Sequence, residues 1–379
     1  MKLAIISHTE HYETRDGEIV GWGPTINELN HLLEIFDEIY HVAMLHEGNP
    51  PPSALPYSSN RIKFVPIPAV GGKTISDKFK ILWKAPKVLA IVSKTLNEVD
   101  CFQLRTPTGI GVFLIPYLTL FVSKKGWFKY AGNWNQKNPP LGYRLQRWML
   151  KKQSKTVTIN GSWPKQPKHC LTFENPCLTI EELKFGKLIK EQKDFTGKVS
   201  LCFVGRLETE KGVGVILKSL NSLDGKEKEK IQIVHFIGDG KEAESFKKEA
   251  TLIKNLEILF HGFLPRSEVF KIYEQSHFFL LPSVASEGFP KVIAEAMNYG
   301  CIPIVSSVSS ISHYINDGVN GIIIDHVNTK NFANALRGVL TLSSDVYKSF
   351  LIDRKQILNR FSYDFYNKRI QAIVSKGIK

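Results

Sequence analysis

The sequence lacks any acidic residue between positions 101 and 173, although this stretch holds twelve lysine and arginine residues. The whole chain carries a formal net charge of +14 at pH 7, so this one stretch supplies most of the positive excess. So long a stretch with only positive charges excludes a neutral, mixed-charge surface there and favours an anionic partner.

Cysteines, secretion signals and long apolar runs are also scarce. The five cysteines are odd in number and show no close metal-ligand spacing, which predicts reduced thiols rather than structural disulfides. The apolar run at the start of the chain is too short for a secretion signal, and no run reaches the length of a transmembrane helix. We therefore expect a cytoplasmic protein.

Length and composition indicate two domains. A chain of 379 residues with 43% hydrophobic residues exceeds one typical domain and suits two α/β domains with sizeable cores. The pattern of the first half stops near Glu174, and the stretch that follows is polar and rich in turns. The sequence predicts one domain over residues 1–175 and a second over residues 176–360.

Two glutamates eight positions apart flank the start of a predicted helix in the second domain. Glu287 follows a strand-like run at 277–283, the helical spacing begins near Pro290, and Glu295 lies about two turns further on. The N–H groups of a helix start favour phosphate, whereas carboxylates only accept hydrogen bonds and suit hydroxyl groups. The arrangement suits a sugar nucleotide, and the alternative is a pair of solvated glutamates.

A second strand-to-helix loop carries two cations. Arg206 and Lys211 lie between a strand-like run at 199–204 and an apolar periodic segment at 213–220. Arginine binds phosphate through a planar fork and lysine through a point charge, so together they could neutralise a diphosphate and stabilise it as a leaving group. A solvated basic turn is the alternative.

Further motifs follow these loops in a fixed order. Glycine turns occur at 238–240 and 261–264, and a stretch of small residues and proline at 300–306 leads to a turn at 315–321. In this order and spacing, the chain resembles the C-terminal domain of the family 4 glycosyltransferases, the large retaining group also called glycosyl transferases group 1. The resemblance implies the GT-B fold, an α/β architecture of two Rossmann-like α/β/α domains that face each other across a deep cleft. It also implies that residues 361–379 pack back on the first domain.

The resemblance implies roles for individual residues. Arg206 and Lys211 would bind the donor diphosphate, Glu287 would contact the donor sugar, and Glu295 would accept hydrogen bonds from the ribose hydroxyls. Further donor-binding groups would be Gly205, Gly238, Gly240, Gly262, Phe263, Gly288, Phe289, Pro290, Lys291 and Val292. No Asp-x-Asp motif stands near this site, and two cations with a helix start already offset the charge of a diphosphate. We expect a nucleotide-diphosphate sugar as donor substrate, with no metal and no other cofactor.

The first half shows a weaker version of the same pattern. A predicted loop with Gly21 and Gly23 resembles the family's first glycine-rich loop, which implies that both glycines approach the donor. The family often carries a histidine at the end of a strand, and this chain places Gly132 or Asn133 near that position; Asn133 is the acceptor-side candidate of the two. His8, predicted at the end of the first strand, and Arg105, predicted just after a later strand, are the other acceptor-side candidates.

Apolar and basic residues are interleaved within the acid-free stretch. Residues 111–122 are strongly apolar, and Leu145 and Trp148 then alternate with basic residues, in a pattern typical of an amphipathic surface helix. We expect peripheral contact with an anionic membrane through residues 101–173. A core helix with a solvated basic face is the alternative.

Three functions remain open at this point. The first is retaining transfer of a sugar from a nucleotide-diphosphate sugar to a glycan or lipid-linked glycan, in cell-surface polysaccharide or lipopolysaccharide assembly. The second is a sugar-nucleotide epimerase or hydrolase with the same fold and donor site. The third is a non-enzymatic binder of nucleic acid, which is not expected because the basic segment carries no known nucleic-acid motif. The sequence does not identify the donor's nucleotide base and sugar, the acceptor, the linkage or the oligomeric state.

Overall fold

The computed structural model describes residues 1–72, 75–195, 197–352 and 354–375. The chain divides into two units, of which one comprises Met1–Pro176 with Tyr363–Lys379 and the other Cys177–Ser362. The C-terminal segment of the first unit was predicted to begin at residue 361 and begins at residue 363 instead. The last four residues of the chain lie outside the described part.

The first unit is built on a nine-stranded sheet. Its strands are β1 (Lys2–Glu13), β2 (Ile19–Trp22), β3 (Glu38–His46), β4 (Ala54–Pro56), β5 (Ile62–Pro68), β6 (Cys101–Thr106), β7 (Lys125–Tyr130), β8 (Val157–Ile159) and β9 (Cys170–Thr172). Seven of them pair in parallel in the order β5-β3-β1-β6-β7-β8-β9. β2 pairs antiparallel with the end of β1, and β4 with β2.

Helices cover both faces of this sheet. They are α1 (Gly23–Leu32), α2 (Ile75–Asn97), α3 (Gly111–Leu120) and α4 (Leu141–Lys152). The inner sides of α2, α3 and α4 share one core cluster with Ile6 and Phe102. On the opposite face, α1 joins Leu3 and Ile39 in a separate cluster. Parallel sheets are stable when apolar helices bury both of their faces, and this unit meets that requirement.

The second unit contains a six-stranded parallel sheet. Its strands are β10 (Val199–Val204), β11 (Ile231–Ile237), β12 (Ile258–Phe260), β13 (Phe278–Leu281), β14 (Ile302–Ser306) and β15 (Ile322–Ile324). They are arranged in the order β12-β11-β10-β13-β14-β15. This is the doubly wound Rossmann order, in which the direction of winding reverses between β10 and β13.

The helices of the second unit follow these strands. They are α5 (Ile180–Gln192), α6 (Val213–Asn221), α7 (Gly225–Glu229), α8 (Ala243–Ala250), α9 (Arg266–Gln275), α10 (Lys291–Asn298), α11 (Thr329–Val339), α12 (Ser344–Ser349) and α13 (Arg354–Asn359). The last helix, α14 (Tyr363–Ser375), belongs to the first unit, where Ile370 joins the core cluster of α1. All five cysteines are buried as free thiols.

Two glycines hold the loops of the second unit in close packing. Gly212 has φ +84°, and a Cβ there would lie 2.3 Å from Pro282 O. Gly238 has φ +126°, and a Cβ there would lie 2.0 Å from Gly205 O. Residues other than glycine rarely adopt such φ values, and a side chain at either position would also collide with the neighbouring loop. Glycine is therefore required at both positions by conformation and by space.

We expect Gly238→Ala to destabilise the protein by about 2–4 kcal/mol, because it combines left-handed backbone strain with overpacking. Scanning calorimetry would record this loss as a lower melting temperature. Gly338→Ala is the matched control, since Gly338 lies within α11 and nothing stands within 4 Å of an added Cβ. That control should be neutral or stabilising by up to about 1 kcal/mol. Equal melting temperatures for Gly238→Ala and the wild type would contradict this account.

Candidate functional site

The candidate site lies where the strand order of the second unit reverses. Ligands of open α/β sheets bind outside the carboxyl ends of the strands at such a switch point. The loop after β10 is joined to the end of β11 by Gly205 N, which donates to Ile237 O at 3.0 Å. On its other side, Val284 N donates to Glu210 O at 2.9 Å. The loop after β10 is thus hydrogen bonded to the neighbouring segments on both sides.

Lys211 and Glu287 form an ion pair between two of these segments. Lys211 ends a 3-10 helix in the loop after β10, and its Nζ contacts Oε1 of Glu287 in the loop before α10. Lys211 is 9% exposed, whereas the side chain of Glu287 is 39% exposed. The backbone of Glu287 is held separately, because its N–H donates to Ser309 Oγ at 3.2 Å. The ammonium group is therefore enclosed, and the carboxylate faces partly into solvent.

The start of α10 lies directly beyond Glu287. Pro290 is the N-cap residue, and its carbonyl accepts from Ile293 N at 3.1 Å. The N–H groups of Lys291 and Val292 precede this bond, at positions where a helix has no intrahelical acceptor to offer. Phe289 is buried, with its ring centroid 4.7 Å from that of Phe361, so it anchors the loop in the core. The structure thus presents an anion-binding helix start beside the Lys211–Glu287 pair.

Arg206 lies in the same loop as Lys211 but in a different environment. Its side chain is 67% exposed, and Nη1 donates to Glu208 Oε1 at 3.1 Å. Exposed ion pairs of this kind hold a side chain weakly. Arg206 is therefore free to change rotamer, whereas Lys211 is enclosed.

Glu295 lies against a second cation that the sequence did not single out. Arg266, the first residue of α9, places Nη2 at 3.5 Å from Glu295 Oε1 and also pairs with Glu182. Burial raises the pKa of Glu295, and the charge of Arg266 opposes this shift. An arginine at a helix start after Pro265, directly beyond the predicted loop at 261–264, was the available signal.

The remaining glycine loops occupy the positions expected from the sequence. Gly238 N donates to Gly262 O at 2.8 Å, which joins the ends of β11 and β12. Gly240 N donates to the side chain of Asp239 at 2.7 Å. Phe263 is 45% exposed, so its ring forms an apolar surface beside the loop.

Gly21 and Gly23 do not lie in a loop, and this prediction is wrong. β1 continues to Glu13 and is followed by β2, in which Gly21 pairs with His11, and Gly23 is the first residue of α1. A Cβ at Gly21 would lie 2.4 Å from His11 Nε2, and one at Gly23 would lie 2.7 Å from Ser53 O. Both glycines therefore permit close packing within the first unit.

The sequence predicted His8 at the end of the first strand, but His8 lies inside β1. The pairing of β1 with β3 changes register between Ile6 and Glu10, so His8 falls in this irregular part of the strand. Its Nε2 is hydrogen bonded to Val70 O, and burial lowers its pKa. The half-buried ring is thus neutral at pH 7.

Arg105 lies within β6 rather than after it, and it belongs to a buried charge cluster. Its Nη2 donates to Glu28 Oε1 at 2.9 Å, and Lys129 Nζ lies 2.6 Å from the same oxygen. Lys129, one of the basic residues of the acid-free stretch, is only 5% exposed. It contributes to this cluster and not to the surface charge. Tyr366 of α14 also donates to Glu28, at 3.0 Å.

Glu28 was missed because it occupies the apolar stripe of α1, together with Leu29 and Leu32. A carboxylate on such a stripe was the available signal.

Asn133 lies in the loop after β7, as expected, and its Oδ1 accepts from Asn135 N at 3.0 Å. Among the described residues, no group of three or more His, Cys, Asp or Glu could hold a metal ion.

A hydrogen-bonded chain of buried side chains was also missed. His41 Nε2 lies 2.8 Å from Ser7 Oγ, and His41 Nδ1 lies 2.8 Å from Tyr57 OH. The same hydroxyl lies 2.9 Å from His11 Nε2. Burial lowers the pKa of His41 far below its usual value and that of His11 to about 4. Both rings are therefore neutral near pH 7, and the chain joins β1, β3 and the residue that follows β4.

Known proteins resemble this chain in sequence. Residues 185–350 match the family model described as glycosyl transferases group 1. An uncharacterised glycosyltransferase of Methanocaldococcus jannaschii is 33% identical over 145 residues, which cover 38% of this chain and 36% of that protein. An amylovoran biosynthesis glycosyltransferase of Erwinia amylovora is 28% identical over 205 residues, which cover 52% and 49%. The chain thus spans half or less of the length of these curated relatives.

Solved structures resemble the chain over nearly its whole length. The crystal structure of Anabaena HepE in complex with UDP has a TM-score of 0.71, at 14% sequence identity, and the match covers 99% of this chain and 100% of that chain. At this identity the likeness concerns the fold alone. The protein has the GT-B fold, with two Rossmann-like α/β/α domains, as the sequence predicted. The family-model match at residues 185–350 lies within the second unit and agrees with the resemblance found in the sequence.

We expect the free energy of unfolding to fall between pH 7 and pH 5. Unfolded histidines bind protons below about pH 6.5, whereas folded His11 stays neutral down to about pH 4. The unfolded state therefore binds more protons in this window, and the loss for His11 alone is about 2 kcal/mol at pH 5. Guanidinium denaturation at the two pH values measures it.

His11→Gln should reduce this pH dependence because it removes one of the buried rings. His326→Gln, which changes an exposed ring in the second unit, is the matched control and should leave the dependence unchanged. An identical pH dependence for wild type and His11→Gln would rule out the buried ring as its source.

Proposed function

We propose that this protein is a retaining glycosyltransferase of family 4, which moves a sugar from a nucleotide-diphosphate sugar to a hydroxyl group of a glycan or lipid-linked glycan. The observation that carries the proposal is the placement of the Lys211–Glu287 pair beside the start of α10. One place then offers an enclosed cation and N–H donors for a diphosphate, with a carboxylate for sugar hydroxyls. The relative named for amylovoran biosynthesis supports a role in cell-surface polysaccharide or lipopolysaccharide assembly.

The donor diphosphate is proposed to lie at the first turn of α10. There it would receive hydrogen bonds from Lys291 N and Val292 N and share the ammonium group of Lys211 with Glu287. Arg206 is exposed on the same loop, so its guanidinium can turn toward the phosphates at little energetic cost. Glu287 is half-exposed and can accept from the hydroxyls of the donor sugar.

The nucleoside is proposed to lie on the other side of the diphosphate. A carboxylate has about four acceptor positions, so the contact of Glu295 with Arg266 leaves capacity for the ribose hydroxyls. The nucleobase would then lie against Gly262 and the exposed ring of Phe263. Arg266 would act as a positioning residue, since it holds the carboxylate that binds the ribose.

The transfer step breaks the bond between the anomeric carbon and a diphosphate oxygen. A bond from the same carbon to the acceptor oxygen forms on the same face of the sugar, and the acceptor proton passes to the departing diphosphate. Lys211, Arg206 and the start of α10 stabilise the charge that develops on this leaving group. Because these groups already offset the charge, the proposed step requires no metal. We further propose that the reaction takes place in the cytoplasm.

The identity of the nucleotide can be tested with a thermal-shift panel of UDP, GDP, ADP and CMP. We expect one nucleoside diphosphate to raise the melting temperature, because a ligand at 100 times its Kd stabilises the folded state by about 2.7 kcal/mol. UDP is the first candidate, since it is bound in the related HepE structure. Glu295→Ala should weaken the shift. No shift with any nucleotide, together with salt-dependent binding of nucleic acid, would instead favour the non-enzymatic binder.

We expect Lys211→Ala to lower the transfer rate by about 10²–10³-fold, the usual effect of removing one group that stabilises transition-state charge. Glu287→Ala should lower it by about 10²-fold, because the donor sugar is then no longer held in position. Glu287→Ala should also cost about 1–3 kcal/mol of stability, because it leaves the enclosed ammonium group unpaired. Lys211→Ala should cost less, because Glu287 can be hydrated. The assay is transfer from the donor identified above, with and without EDTA, which should have no effect.

Lys218→Ala and Glu257→Ala are the matched controls, since both residues are exposed in the second unit. They should retain full activity. Product analysis separates the remaining alternatives, because an epimerase converts the donor sugar and a hydrolase releases it at the full rate without an acceptor. Wild-type transfer by either site variant would refute the assignment of that residue.

A further inference from the structure

Three helices of the first unit leave large apolar side chains in solvent. The inner sides of α2, α3 and α4 share one core cluster, which includes Val88, Leu114 and Leu150. Trp83 of α2 is 87% exposed and Trp148 of α4 is 58% exposed. Other exposed apolar side chains on these helices are Leu82, Leu120, Leu141 and Leu145. Together with Phe121, which follows α3, we call them the three-helix face.

The three helices pack on the same face of the sheet. The start of α3 lies between α2 and α4, because a Cβ at Gly109, just before α3, would lie 2.7 Å from Ile81 of α2 and one at Gly111 would lie 2.2 Å from Gln146 of α4. α3 itself carries no charged residue, and its Phe113 is half-buried. Isolated apolar side chains are common on protein surfaces, but contiguous patches mark an interaction site.

The charge on these three helices is almost all positive, and Asp77 near the start of α2 is their one acidic residue. Residues 78–97 and 101–173 contain no Asp or Glu. Exposed cations stand on both outer helices, with Lys84 and Lys87 on α2 and Arg144 and Lys152 on α4. α2 therefore extends the acid-free surface beyond the stretch that the sequence alone indicated. The three-helix face therefore combines exposed apolar side chains with exposed cations.

Only some partners match this combination. A second copy of the same face would bring like charges together, which opposes self-association. Nucleic acid would match the cations but not the exposed apolar side chains. An anionic bilayer matches both, because basic residues are attracted to the headgroups while tryptophan and leucine side chains enter the boundary of the acyl chains.

We propose that the three-helix face docks on the surface of a membrane that contains anionic lipid. No described helix is long and apolar enough to span a bilayer, so the contact is peripheral. α2, α3 and α4 each begin after the carboxyl end of β5, β6 or β7, so the three-helix face adjoins that edge of the sheet. A lipid-linked acceptor could then be reached from the membrane, a consequence that rests on the proposed function, whereas the docking itself does not.

The test is flotation of the full-length protein with vesicles of phosphatidylcholine, alone or mixed with phosphatidylglycerol. We expect binding to the mixed vesicles at low salt, weaker binding at high salt and little binding to phosphatidylcholine. A variant with Lys84→Gln, Lys87→Gln, Arg144→Gln and Lys152→Gln should bind mixed vesicles at least about a hundredfold more weakly. Trp83→Ser with Trp148→Ser should weaken binding at every salt concentration.

Matched controls carry the same changes on the second unit. Lys218→Gln, Lys226→Gln, Lys254→Gln and Lys330→Gln remove four exposed charges. Leu252→Ser with Ile352→Ser removes two exposed apolar side chains. Both controls should bind like the wild type. All substituted residues are exposed, so unchanged melting temperatures will verify folding.

Three results would overturn the proposal. They are no binding of the wild type to mixed vesicles at low salt, equal binding by the three-helix variants, and equal loss of binding in the controls. Sedimentation velocity could give a fourth. A stable dimer of the wild type that is lost in the variant with Trp83→Ser and Trp148→Ser would show that the face binds a second copy of the chain. Flotation requires neither donor nor acceptor, so its failure would leave the proposed sugar transfer standing, and loss of transfer would leave the docking standing.

Discussion

Parallel pairing of β10 with β13 is the contact on which the candidate site depends. These strands are separated by more than seventy residues, yet they lie side by side because the order of the sheet reverses between them. Parallel strands point their carboxyl ends to one edge, so the loops that follow them must meet. Lys211 and Glu287 come into contact for this reason, and neither residue has a local cause to be near the other.

The two units hold their structure together by different means. In the second unit, backbone hydrogen bonds and close contacts at Gly212 and Gly238 fix the loops, so the side chains of Arg206 and Glu287 are left partly exposed. In the first unit, the His41 chain and the Glu28 cluster join strands and helices through buried side chains. A backbone-held loop leaves its side chains available to a ligand, whereas side chains that join buried elements are committed to packing.

The same difference explains why sequence motifs were informative in one half and not in the other. Glycines and charged residues at loop positions of the second unit keep their spacing because the backbone geometry requires it. Gly21, His8 and Arg105 resembled loop residues, but each lies within a strand and packs against partners distant in sequence. The end of a strand is set by the strands that pair with it, so the local sequence does not reveal that a strand continues past its apolar run.

The sequence by itself determined the α/β class, the strands at 199–204 and 277–283, the helices that follow them and the loops that carry the candidate residues, since these follow from apolar periodicity and from glycine positions. It also determined the acid-free character of one surface. Tertiary structure alone decided that Glu295 lies against Arg266 and that Lys129 is buried beside Glu28. It alone decided that Trp83 and Trp148 are both exposed, on helices that pack on the same face of the sheet. The physical reason is that charge neutralisation and surface continuity depend on distances between residues far apart in the chain, and only the packed sheet and helices fix those distances.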